Sequence, residues 1–300
     1  MKIRHILVLL LTFIITNAYS YDPKDKSIQV IIPFGPGGGT DTVFRKIEKF
    51  GAKNNINFRP SYKPGANGLI GIKTLYEEAN DGSVIGIITF DSLTTYAMKN
   101  PIDLNNVVTI QKNIFGVVST KNKSLVDMMK GVTEDKPLRI GYLLYSQKAI
   151  METALKAYGI NQEQIYVPYK AGPDLIQNVV NGDLDLGITS LNVLAPLIES
   201  GKIKLLAVDS NTTVTTFPEA FLLKKLDPTI PDINKGSSIV LPPSTNPQVK
   251  TYWSKFIQDY LNDPDTKLDS KQNYWEPVRK NIKELEKDLI ENDKILRAVK

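Results

Sequence analysis

The stretch Val30-Ile31-Ile32-Pro33-Phe34-Gly35-Pro36-Gly37-Gly38-Gly39-Thr40-Asp41, VIIPFGPGGGTD, follows Ile28-Gln29 and runs into Thr42-Val43-Phe44-Arg45-Lys46-Ile47. Its apolar start reads as a buried strand, its glycines as a turn, and the spacing after Asp41 as a helix. A strand feeding a glycine-rich turn into a helix aims backbone N–H groups at one point, where the positive end of the helix dipole adds to them. Glycine suits such a place because it accepts positive φ and leaves room for a ligand. A tight turn with no ligand is the other reading of three glycines. The phosphate-loop reading is disfavoured because no Gly-Lys-Ser/Thr follows.

Two further loops have the same form. In SYKPGANGLIG, Pro64-Gly65-Ala66-Asn67-Gly68 leads into Leu69, Ile72 and Leu75; in ITFDSLTT, the strand Val84–Ile88 ends at Asp91, Ser92, Thr94 and Thr95. Strands are expected at Ile28–Ile32, Val84–Ile88, Phe115–Ser119, Arg139–Tyr142, Ile165–Val167, Asp185–Ile188, Lys204–Val208 and Ser238–Leu241. Helices are expected at Asp41–Phe50, Gly68–Glu78, Ser124–Lys130, Lys148–Tyr158, Asp174–Val180, Leu191–Ser200 and Gln248–Leu261. Ile282, Leu285, Leu289 and Leu296 predict a last helix that packs by one face on a domain surface. This alternation implies an α/β chain with largely parallel sheets, whose ligands sit at the carboxyl ends of strands.

The start of the chain narrows the compartment. Lys2 and Arg4 precede the apolar run Ile6–Ile15, and Ala18-Tyr19-Ser20 places small residues at a cleavage site, so residues 1–20 read as a signal peptide. The run is too short for a membrane anchor, which needs about 20 apolar residues. Removing Lys2 and Arg4 takes the net charge from +5 to +3 (5 − 2). The lysines near the C terminus alternate with acids, a solvated face and not a nucleic-acid stripe. The chain has no cysteine and its one histidine, His5, lies in the leader. That excludes disulfides, Ser-His-Asp and Cys-His systems and ordinary zinc sites from the mature protein. About 280 residues remain (300 − 20), enough for two moderate domains.

The segments VIIPFGPGGGTD, YKPGANGLIG, ANDGSVIGIIT, VPYKAGPDLIQNVVNGDLDLGIT and SGKIKLLAV, in this order, resemble the substrate-binding proteins of the tripartite tricarboxylate transporter group, the Bug-type extracytoplasmic solute receptors. SSIVLPPSTNPQV resembles that family's return strand and proline-rich turn more weakly. The resemblance implies a periplasmic binding protein of type II-like fold, two α/β lobes that close over a small carboxylate, with no catalysis and no cofactor or metal. Lobe 1 would comprise residues 21–116 and 239–300, and lobe 2 residues 117–238. The implied partners are the ligand and integral membrane transporter subunits, for a monomer with no nucleic-acid role. A periplasmic receptor feeding a signalling system is the alternative.

The residues expected at the ligand are Pro36, Gly37, Gly38, Gly39, Thr40 and Asp41 of the first loop, Gly65, Ala66 and Asn67 of the second, and Asp91 and Ser92 of the third. From the second lobe come Tyr145, Ser146, Gln147, Lys170, Thr189 and Ser190. Asp41 cannot face a carboxylate at low cost, so it is expected to orient a water, tie the loop's own amides, or cap the helix. Two positions depart from the family: LLYSQKA stands where a Gly/Ser-rich loop is usual, and Thr189 where an aspartate is usual. The second lobe thereby lacks a negative charge, which favours a carboxylate, carbonyl or hydroxyl over an amine at the ligand's far end. An enzyme using Asp41 and Asp91 as an acid/base pair is a competing reading that needs the two to meet.

Overall fold

A computed structural model describes residues 21–24, 26–228, 230 and 235–298; the expected signal peptide lies outside them. The chain forms β1 (Ser27–Ile32), α1 (Gly39–Lys53), β2 (Asn57–Tyr62), α2 (Leu69–Glu77), β3 (Val84–Thr89), α3 (Phe90–Ala97) and β4 (Val107–Asn113). It continues through β5 (Phe115–Ser119), α4 (Leu125–Lys130), β6 (Arg139–Tyr142), α5 (Tyr145–Ala157), β7 (Ile165–Pro168), α6 (Gly172–Asn181), β8 (Leu186–Ser190), α7 (Leu191–Glu199), β9 (Lys204–Asp209) and β10 (Phe221–Leu222). It closes with β11 (Gly236–Val240), α8 (Pro247–Asn262), α9 (Pro264–Gln272), β12 (Trp275–Pro277) and α10 (Ile282–Arg297).

The strands make two six-stranded sheets, ordered β12-β4-β11-β3-β1-β2 and β10-β9-β5-β8-β6-β7. Each is the centre of an α/β lobe. The chain passes from the first sheet to the second at Ile114 and returns between β10 and β11. Phe115 and Gly116 therefore lie in the second sheet, and Gly236–Ser238 in the first, two or three residues from the boundaries drawn on the sequence.

The sheets are mixed, not largely parallel. β1 runs parallel to β2 and β3, and β6 parallel to β7 and β8, but β11 is antiparallel to β3 and β4, and β5 to β8 and β9. The reason is the crossing itself. β1, β3, β6 and β8 run towards the face between the lobes, whereas β5 and β11 carry the chain away from it. β3, VIGIIT, is buried along its whole length, as a central strand covered on both faces should be.

Local signals account for the helices that frame the cleft. In α6, Pro173 occupies the first turn, Leu175, Ile176 and Val179 are buried, and Gly182 ends the helix at φ +81. α5 starts at Tyr145, three residues before the expected Lys148, because Gln147 Oε1 accepts from the N–H groups of Leu143 and Leu144 and closes the first turn. The C-terminal helix differs from its expectation. α10 does not rest on one lobe: Leu285 and Leu289 pack with Ile72, Phe90 and Leu93 of the first, and Ile295 packs on the core of the second.

Candidate functional site

Between the lobes lies a cavity of about 30 Å³, lined from the first lobe by Phe34, Gly38, Gly39, Thr40, Thr89, Asn113 and Lys235, and from the second by Phe115, Leu143, Leu144, Gln147, Thr189 and Ser190. That is room for about two waters. A groove of about 1020 Å³ between β4, α8 and the start of α10 is far larger, but it lies on the outer side of the first lobe.

Two helices open on this cavity from opposite sides. α1 begins at Gly39 and α7 at Leu191; the residues before them, Gly38 and Ser190, make no side-chain cap. Thr89, Ser124, Asn246, Asp263 and Asn281 cap α3, α4, α8, α9 and α10 with their side chains, while α2 and α6 also lack such a cap, and the first N–H of α7, at Leu191, donates to the Ile114 carbonyl at 2.8 Å. The N–H groups in the first turn of α1 lack intrahelical acceptors. Asp41 is turned away from the cavity. One carboxylate oxygen accepts from the Gly37 N–H at 2.8 Å, the other from the Tyr62 hydroxyl at 2.7 Å, with Arg45 at 3.5 Å. The carboxylate thus ties its own loop back onto the first turn of α1, where the helix dipole favours a negative charge.

The glycines of the first loop serve the contact between lobes. The Gly35 N–H donates to the Lys170 carbonyl at 3.0 Å, and a Cβ on Gly35 would stand 2.7 Å from the Ala171 Cβ. A Cβ on Gly39 would meet the Ser190 hydroxyl at 2.8 Å. Positive φ is required at Gly37, at +75°, where Pro173 lies against the loop. Gly38 has φ −86° and room for a Cβ, so the positive φ expected of the loop's glycines is not found there. At Gly35 and Gly39 close approach, not conformation, demands glycine.

The second and third loops grip the other lobe. Asp91, 1% exposed, accepts from the Ser146 N–H at 2.8 Å and from Asn67 Nδ2 at 2.6 Å; Asn67 Oδ1 accepts from the Tyr145 N–H at 3.2 Å. Two first-lobe side chains thereby cap α5 of the second lobe. Asn67 holds this pose with φ +55°, beside Ala66 at +50° and Gly68 at +84°, and Thr95 gives its amide a second acceptor. Burial pushes the Asp91 carboxyl above its ordinary range, opposed by the hydrogen bonds from Ser146 and Asn67. Asp41 and Asp91 are each engaged by neighbours, and neither lines the cavity.

Of the expected ligand residues, the structure brings Gly38, Gly39, Thr40, Gln147, Thr189 and Ser190 onto the cavity. Asn67, Asp91, Tyr145 and Ser146 meet across the lobe contact instead; Ser92 bonds to Thr89, and Gly65 packs on Ile70. Pro36, Gly37 and Lys170 are exposed, Ala66 precedes Asn67 in the grip, and none of them lines the cavity. Phe34, Thr89, Asn113, Phe115, Leu143, Leu144 and Lys235 are lining residues absent from that expectation. Asp209, ending β9, offered a signal for the last: it is a carboxylate closing a buried strand, and it pairs with Lys235 at 2.6 Å. Among the described residues lining the cavity, Lys235 is the only charged one.

Comparison with known proteins agrees with this architecture. Residues 60–298 match the family described as Tripartite tricarboxylate transporter family receptor. The UPF0065 protein in the gbd 5′ region of Cupriavidus necator is 25% identical over 268 residues, covering 85% of this chain and 78% of the relative. The solved periplasmic binding protein BugD superposes with a TM-score of 0.79 at 18% identity, covering 93% of this chain and 98% of BugD. MatC of Rhodopseudomonas palustris, in a structure with bound malate, superposes with a TM-score of 0.75 at 14% identity over 90% of this chain and 98% of MatC. No helix among the described residues is long and apolar enough to cross a membrane.

Proposed function

The chain belongs to the tripartite tricarboxylate transporter receptor family, and on that premise we propose that it captures a small organic carboxylate between its lobes in the periplasm and delivers it to the membrane subunits of a transporter of that type. The observation that carries this reading is the cavity itself: two helix N-termini without side-chain caps, one from each lobe, and a lining whose only charged group among the described residues is a lysine. Free N–H groups at helix starts attract negative charge, and a carboxylate offers acceptors to both lobes at once. Malate bound to MatC is a carboxylate on the same fold.

The first-turn amides of α1 at Gly39 and Thr40 would hold one carboxylate, with Thr189 and Ser190 closing on it from the second lobe. A ligand reaches this place only when the lobes part, and its contacts to both sides then favour the closed arrangement by its differential affinity for it. The protein's residues supply binding and no reaction step. A transport receptor needs no more.

Thermal unfolding against a panel of mono-, di- and tricarboxylates tests the reading. At a ligand concentration one hundred times Kd the expected stabilisation is about 2.7 kcal/mol, a rise of several degrees in Tm. A neutral solute that raises Tm while no acid does would overturn it.

A further inference from the structure

Lys235 stands where the chain returns to the first sheet. Its carbonyl accepts from Asn113 Nδ2 at 3.1 Å, which fastens its backbone to the end of β4. Its side chain reaches into the second lobe, where Nζ donates to Asp209 Oδ2 at 2.6 Å and to the Asp209 carbonyl at 3.1 Å, with the Phe115 ring centroid 5.8 Å away. Both side chains are almost wholly buried, 3% and 0% exposed.

This ion pair is incomplete. An ammonium carries three N–H donors, and among the described residues Asp209 takes two. Asp209 Oδ1 is buried without a donor among them. A buried pair that leaves donors or acceptors unused is poorly compensated for its lost hydration. The pair is also polarised relative to the cavity. Lys235 lines it, as does Phe115, whose ring lies beside the ammonium, and Asp209 does not, so of the two partners the lysine is the one at the ligand space.

We propose that Lys235 is a specificity-determining ligand contact, its remaining N–H donating to a second carboxylate of the bound molecule, so that this receptor selects dicarboxylates over monocarboxylates of equal length. The inference rests on the carboxylate reading above and sharpens it. The first carboxylate sits at the start of α1, and the second meets the lysine on the hinge side of the same cavity, the lobes closing less far on the diacid than they do here, where the space holds about two waters. A hydroxyl there would gain a hydrogen bond but not the charge, and a charge-assisted bond is roughly twice as strong as a neutral one.

The experiment measures binding of succinate, glutarate and adipate, each against the monocarboxylate of the same chain length, and of 4-hydroxybutyrate against succinate. The proteins are the parent, Lys235→Arg and the double variant Lys235→Met/Asp209→Leu. The double variant removes both charges together, since a buried pair replaced by apolar residues of similar volume is often neutral for stability. For the best-fitting length the parent should favour the diacid by about tenfold or more, Lys235→Arg should keep that preference, and the double variant should lose it, its diacid and monoacid affinities coming within about threefold of each other. A preference that survives in the double variant, or a parent that binds diacid and monoacid alike, overturns the role of Lys235 and leaves the carboxylate reading intact. 4-Hydroxybutyrate binding as tightly as succinate overturns the second carboxylate. A parent that binds none of these acids sinks both readings. Should the double variant not fold, the parent's ratios and those of Lys235→Arg still decide the matter, because an arginine that abolishes the preference in a folded protein also counts against it.

Discussion

Asp91→Ala is expected to weaken ligand binding by about tenfold to hundredfold while both lobes stay folded. The Ser146 N–H that donates to Asp91 at 2.8 Å belongs to the other lobe, and Asp91 is 1% exposed, so the bond exists only when the lobes are together. In the variant the N–H is buried on closing with no acceptor. A buried donor left without its partner costs about 1–3 kcal/mol. Once the lobes part, water satisfies the same N–H, so the loss falls on closure and not on folding of either lobe. Asn67 retains Thr95 as an acceptor at 2.9 Å, which limits damage within the first lobe.

The same carboxylate gives closure a pH dependence whose sign can be worked out. Burial raises the Asp91 carboxyl in the closed protein, whereas in the open protein it meets water. The closed form therefore holds the proton more tightly. The contribution of this group to closure is present in full below the ordinary carboxylate range, near about 4, and is lost as pH rises through the raised value. Affinity for a fully ionised ligand should fall across that window in the parent, and its advantage over Asp91→Ala should narrow. Calorimetry at a series of pH values checks both statements. A variant with the parent's affinity and the parent's pH slope would show that the grip between lobes has no part in closing.

Gly35→Val should abolish measurable binding, a loss of about a hundredfold or more, with a melting temperature close to that of the parent. Its first side-chain atom would stand 2.7 Å from the Ala171 Cβ, and the rest would wedge between the loop and the start of α6. Overpacking costs about 1–3 kcal/mol, and the Gly35 N–H bond to the Lys170 carbonyl goes with it. Gly131→Ala, at the end of α4 and outside the cavity lining, is the control, because its Cβ would find its neighbours at 3.4 Å or beyond and its φ of −86° is already that of an ordinary residue. Titrating both variants with the best acid of the thermal screen separates the roles. Full binding by Gly35→Val would mean that the lobes do not meet at this loop when a ligand is held.

The two-lobed α/β frame was legible because its central strands are unbroken apolar runs, such as VIGIIT at β3, and its first loop carries its glycines in sequence. The strands that escaped are edge or polar ones. β2 contains Pro60, β4 ends in Gln111-Lys112-Asn113, and β10 and β12 are very short. α3 escaped because β3 passes into it without a loop, and its Thr94 and Thr95 favour helix weakly. At the cavity, the first loop shows in the local pattern of its glycines, whereas Thr189 and Ser190 at the end of β8 were expected from the family resemblance. The pairing of Lys235 with Asp209, and of Asp91 with the start of α5, joins residues far apart in the chain, and no local periodicity encodes it. Asp91 and Asn67 were expected at the ligand, and the structure sets them against the start of α5 instead; a polar group in a loop after a strand does not say whether a ligand or another lobe will meet it.

The last helix deserves to be thought of as a rein. Besides the two places where the main chain crosses, α10 holds the first lobe through Leu285 and Leu289 and the second through Ile295. Opening the jaws must slide or peel its far end, so the terminal turn near Arg297 is a handle on how widely they part. An affinity tag or fluorophore joined just beyond it would load that handle, whereas the same label on the exposed Lys255 of α8 would ride on the first lobe alone and leave the swing free.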